Sequence, residues 1–165
     1  MSFHPNFLNE FFKFYNYLMY SQGALSFEMR HFIAIMAAAR HKCIYLVDQQ
    51  EREFRLQNGT QQWLQGLSHI PQKLKALYEL NKILCHQPWL LNRNHVEKIL
   101  KGQQVNWSVT ELIMAVTILT NFHALSGFVF GCGINENYMQ TLYMQQQKQE
   151  EEEVAAAAAA AAAAR

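Results

Sequence analysis

One stretch constrains the fold more than any other: Leu112 to Ile134, an apolar run closed at both ends by helix punctuation. Ser108-Val109-Thr110-Glu111 has the capping-box pattern, in which the Ser hydroxyl and the Glu carboxylate satisfy backbone N–H groups of the first turn. Gly131-Cys132-Gly133 supplies the residue that ends helices in the left-handed conformation. A run of this length also meets the requirement of about 20 apolar residues for a bilayer span. Asn121 and His123 fall near its middle, however, and no Lys or Arg flanks it closely. Polar groups at that depth are expensive in lipid. The run reads as a core helix with hydrophobic residues nearly all round, an element that neighbours must cover on several sides.

The rest of the chain has the same helical period. Phe7, Leu8, Phe11, Phe12, Tyr15, Leu18 and Met19 recur at helical spacing, and Ser21-Gln22-Gly23 breaks the segment. Ser26 is placed to cap the next helix, with Glu28 in its first turn. A stretch rich in Ala, Ile, Met and Leu follows from Phe27 to about Phe54, and Asn58-Gly59 marks a turn. Pro71 suits the first turn of a helix carrying Leu74, Leu77, Leu80 and Leu84. Pro88 ends that region, and Asn94-His95-Val96-Glu97 repeats the capping-box pattern. No sustained alternation suggests a sheet. The expectation is an all-α bundle over residues 1–140. Residues 141–165, polar and acidic from Gln145 to Glu153 and alanine from Ala155 to Ala164, read as a low-complexity tail or linker, or as the artificial end of a truncated gene product.

Composition narrows the chemistry. At 165 residues and 50% hydrophobic, the chain is one ordinary domain. Residues 1–149 hold 13 of the 14 Lys and Arg and 9 of the 13 acids, a net 13 − 9 = +4, too small an excess to argue for nucleic acid. Asp48 is the only aspartate, which removes paired-Asp proteases, Asp-rich calcium loops and Asp-held magnesium. Cys43, Cys85 and Cys132 lie far apart, so no pair has close metal-ligand spacing. Their odd number, with an opening MSFHPNFLNE that lacks a leader pattern, fits a reducing compartment. No metal and no cofactor is expected.

The segment Arg30 to Val47 carries the main chemical candidate. Cys43 follows the basic triplet Arg40-His41-Lys42, and nearby positive charge favours the reactive thiolate. A helix starting at Cys43 would add to this. On one continuous helix, Arg40, Leu46 and Gln50 share the face of Cys43, and Tyr45 is a hydrogen-bond donor close by. Set against this, a lone Cys among Ala, Ile and Leu is most often a small core residue. Elsewhere, His95-Val96-Glu97 lacks the paired cysteines of a zinc deaminase and reads as part of a cap. His123 reads as a satisfied core or groove residue. Gly131-Cys132-Gly133 lacks the third glycine and the strand of a dinucleotide loop.

Four blocks together resemble the sestrin family: Phe11 to Tyr20, Arg30 to Val47, Ala76 to Lys82 with His86-Gln87-Pro88-Trp89-Leu90, and Trp107 to Gly133. The match is collinear over about residues 3–135. The resemblance implies an AhpD-like (alkylhydroperoxidase) helical fold, with Cys43 and Tyr45 at the positions linked to antioxidant activity. It implies a stress-response regulator that restrains TOR complex 1 through proteins of the GATOR type, limits reactive oxygen species and promotes autophagy, in cytoplasm and nucleus. The family's leucine pocket and GATOR-contacting surface belong to its C-terminal half, so this chain is expected to be a fragment that self-associates or pairs with such a half. The alternative is a single-cysteine hydroperoxide reductase acting through Cys43 with an external thiol. AhpD-like enzymes add a resolving cysteine, a glutamate and a histidine; those positions here are Leu46, His31 and Gln50, and Gln50 cannot take a proton at neutral pH.

Overall fold

Helix ends fall where nearby groups can satisfy the backbone. Ser26 accepts from Met29 N at 3.4 Å, and Ser108 and Glu111 complete a reciprocal box, 3.2 Å and 2.8 Å. A computed structural model describes residues 3–102 and 107–163, and every regular element among them is helical. The helices are α1 Pro5–Tyr20, α2 Phe27–Arg40, α3 Ile44–Leu56, α4 Gln72–Lys75, α5 Leu77–His86, α6 Arg93–Lys101, α7 Val109–Gly131 and α8 Ile134–Ala163. Short 3-10 turns lie at Gln61–Gln65, Leu67–His69 and Pro88–Leu90. The all-α architecture is the one the sequence predicts.

One local expectation changes and one open choice is decided. The cap of α6 is Asn92: its side chain accepts from Asn94 N at 3.0 Å, and the His95 ring nitrogen accepts from Asn92 N at 3.3 Å. Glu97, free of capping, pairs instead with Arg93 at 2.6 Å and Lys101 at 3.2 Å. The stretch Phe27 to Phe54 is two helices, the broken one of the two readings left open by the sequence. At the end of α2, Lys42 N donates to Ala39 O (3.0 Å) and Cys43 N to Ala38 O (3.1 Å). These are the two bonds of a Schellman motif, and they place Lys42 in the left-handed region, φ 57°. The same motif ends α3, with Asn58 at φ 58° and Gly59 N donating to Phe54 O at 2.9 Å.

The core forms around α2. Arg30 through Ala38 are all buried, and α2 packs against α1, α3, α5 and α7. Helix α7 contributes Leu112, Ala115, Ile118, Leu119, Phe122, Ser126 and Val129, which lie on one face. Each large apolar side chain buried this way stabilises the fold by about 1.5–3 kcal/mol. The other face stays open: Val109 is 59%, Ile113 63% and Phe130 45% exposed. So the one described helix long and apolar enough to cross a membrane is covered on one side only.

Two polar devices pin the ends of the bundle. Arg30, 1% exposed, donates to the carbonyls of Leu25 (2.9 Å), Leu18 (3.2 Å) and Ser21 (2.7 Å). A buried cation is tolerable there because the C-terminus of α1 presents carbonyls that have no helical partner. Lys73 pairs with Glu111 at 2.6 Å, and Trp107 Nε1 donates to Lys73 O at 2.8 Å, tying α4 to the start of α7. Helix α8 runs through residue 140 without a break. Tyr138 O–H donates to Asp48 at 2.9 Å, and Leu142 is the last residue even partly covered before an exposed run through residue 157.

Candidate functional site

The joint between α2 and α3 positions Cys43. It is the residue just beyond the left-handed Lys42, a place where Schellman motifs turn a side chain back onto the preceding helix. Cys43 is accordingly fully buried, 0% exposed, and occupies the N-cap position of α3 without a side-chain capping hydrogen bond. Burial pushes its thiol pKa up, against a smaller opposite pull from the Leu46 N–H and the Ser126 hydroxyl. The Ser126 hydroxyl already donates to Phe122 O at 2.7 Å, so its pull is weak, burial dominates and the thiol stays protonated.

The basic triplet therefore acts elsewhere. Because the helix breaks at residues 41–43, Arg40 does not share the face of Cys43; its guanidinium lies over the Tyr78 ring, 4.7 Å from the centroid. Its charge pulls the Cys85 thiol toward thiolate, although burial still leaves that pKa raised. The thiol placed in a positive environment is Cys85. Tyr45 is likewise occupied. Its hydroxyl accepts from Gln49 Nε2 at 2.8 Å, its ring meets Tyr138 edge-on at 5.4 Å, and its N–H donates to Asn135 Oδ1 at 3.1 Å.

The two remaining relay positions do meet. Gln50 Oε1 lies 2.9 Å from His31 Nδ1, and Gln50 Nε2 donates to the Tyr15 hydroxyl at 3.0 Å. An amide oxygen only accepts, so His31 Nδ1 must carry the proton. Its buried Nε2 has no partner, and burial lowers the ring pKa, so the imidazole is neutral. This amide–imidazole–phenol chain contains no carboxylate to drive proton transfer. Glu53, the nearest acid, receives the hydroxyl of Tyr20 at 3.0 Å.

A second constellation was not legible from spacing. His41, at the end of α2, has Nε2 3.0 Å from His123 Nδ1 on α7 and 3.3 Å from Cys85 Sγ on α5. All three residues are half-buried. Burial lowers both imidazole pKa values, that of His123 to about 4. His123 is thus not the satisfied core histidine its helix suggests: its Nε2 has no partner. The only sequence signal was that His123 is a polar residue inside an apolar helix.

An all-helical domain with a sealed cysteine at the α2–α3 joint, and with Leu46 where a C-x-x-C pair would place its second thiol, is the class of protein that the fold and site define. The family model described as PA26 p53-induced protein (sestrin) matches residues 1–165, and the chain belongs to the sestrin family. It is 48% identical over 135 residues to Sestrin-1 of Macaca fascicularis. Over 136 residues it is 46% identical to the Sestrin homolog of Drosophila melanogaster, and over 134 residues 46% identical to Sestrin-2 of Homo sapiens. These matches cover 82%, 82% and 81% of this chain but 27%, 27% and 28% of those proteins. The chain spans little more than a quarter of the length of the curated relatives it matches.

Proposed function

We propose that this chain is the N-terminal, AhpD-like module of a sestrin-type stress-response regulator, acting through protein contacts and not through peroxide turnover. Family membership supports the stress-response role. The observation that carries the regulatory reading over the enzymatic one is the engagement of Gln50 with His31 and Tyr15, which leaves no proton relay beside a buried Cys43. In this reading Cys43 and Tyr45 keep the family positions without the family chemistry. The module contributes to restraint of TOR complex 1 through GATOR-type partners, and to lower reactive oxygen species, in cytoplasm and nucleus. The open face of α7, with Ile113 and Phe130 exposed, is where it pairs with a sestrin C-terminal half or with itself.

Hydroperoxide consumption by the purified chain, with a thiol reductant supplied, tests the reading. The expected rate equals that of Cys43→Ser. A wild-type rate that Cys43→Ser abolishes would restore the single-cysteine peroxidase. Light scattering on residues 1–150 tests the open face: self-association, or rescue by a separately expressed C-terminal half, is expected. A soluble, cooperatively folding monomer removes the pairing argument.

A further inference from the structure

We propose that His41, Cys85 and His123 form a zinc site at the meeting of α2, α5 and α7. The ligand atoms of these residues all lie within 4.8 Å of one another. Tetrahedral geometry, with Zn–N about 2.05 Å and Zn–S about 2.3 Å, requires N···N near 3.3 Å and N···S near 3.5 Å. The observed 3.0 Å and 3.3 Å are a few tenths of an ångström short of those values, and because Cys85 Sγ also lies 3.8 Å from His41 Nδ1, beside the ring, metal binding requires a rotation of the His41 or Cys85 side chain to bring the three lone pairs to one centre.

Metal-free hydrogen bonding serves this trio poorly. His41 Nε2 faces both His123 Nδ1 and Cys85 Sγ, yet one imidazole nitrogen carries either one proton or one lone pair. Nε2 serves only one of the two well, and the other contact open to the thiol, to His41 Nδ1, is a long 3.8 Å. A cation at the centre uses all three lone pairs at once. Two imidazoles and a thiolate select zinc over magnesium or calcium, which prefer oxygen. Binding replaces the thiol proton: Cys85–SH and Zn²⁺ give Cys85–S–Zn⁺ and H⁺. Three protein ligands leave a fourth position for water. The ligands come from positions 41, 85 and 123, so the metal cross-links α2, α5 and α7 just beside the turn that holds Cys43.

Co²⁺ titration of the chelator-stripped full chain tests this. One equivalent is expected to give a thiolate-to-cobalt charge-transfer band with the intense visible bands of a four-coordinate ion, and Zn²⁺ abolishes both. Cys85→Ser loses the charge-transfer band, His41→Asn and His123→Asn weaken binding by more than tenfold, and Cys132→Ser changes nothing. A readout on the unmutated chain guards against variants that misfold: Zn²⁺ protects Cys85, and not Cys132, from alkylation. Binding that does not saturate at one equivalent, a charge-transfer band that survives in Cys85→Ser, or Cys85 labelling unaffected by Zn²⁺ would mean an adventitious ion only and overturn the site.

Discussion

Cys43 and Cys85 both owe their surroundings to the end of α2, yet their environments are opposites. Cys43 lies one residue past the helix-ending turn and is sealed against Ser126 and Leu46. Cys85 comes from another helix, stays half-open, and meets His41 and Arg40. The positive charge of Arg40, three residues before Cys43 in the chain, serves the cysteine 42 positions further on from Cys43. Neighbours in sequence set the field at a thiol only where the backbone keeps running straight. Here a left-handed turn at Lys42 sends the two sides of the joint in different directions.

The largest test of this contrast is alkylation of the native, metal-free protein mapped by peptide. Exposed Cys132 should label first, Cys85 next, and Cys43 slower than Cys85 by about a thousandfold, since it must wait for a local opening of about 4 kcal/mol. This ordering reverses the expectation drawn from the basic triplet, and labelling of Cys43 at the rate of Cys85 would restore that expectation.

Next in size is the seal itself. Phe122 is fully buried, one turn before Ser126, whereas Ile113 on the same helix is 63% exposed. Phe122→Ala should lower stability by about 3–5 kcal/mol in urea unfolding and speed Cys43 labelling. Ile113→Ala should stay within about 0.5 kcal/mol. Comparable losses at the two positions would mean that the open face of α7 is covered in solution.

A smaller effect tracks pH. Burial holds the His31 pKa below its unfolded value of about 6.5. Its contribution is intact above that pH and falls as the medium is acidified below it, because the unfolded chain takes a proton that the folded ring refuses. His31→Gln should flatten the fall in stability between about pH 6.5 and 5. An unchanged slope would show that His31 protonates freely in the fold.

The smallest expected effect is on Cys85. Removing the charge of Arg40 raises the Cys85 thiol pKa, so Arg40→Gln should slow Cys85 labelling by about threefold while leaving Cys43 unchanged. A slowing at Cys43 instead would put the triplet's field back where the chain order suggests.

Much of the helical skeleton was determined by the sequence alone, because helix ends are decided within four or five residues. Ser26, the Ser108–Glu111 box and Gly133 act on backbone groups one turn away. Where two solutions lay equally near, as with Asn92 and Asn94, local pattern picked the wrong one, and Asn92 caps α6. The family, too, was legible from four ordered blocks. Tertiary structure alone decided the chemistry. The His41 pairs span 44 and 82 positions, the Cys43 thiol meets Ser126 on a helix more than 80 residues on, and Gln50 is held by Tyr15 from α1. None of these separations leaves a periodic trace, since packing of α2 against α3, α5 and α7 brings the side chains together and no backbone rule links their positions in the chain.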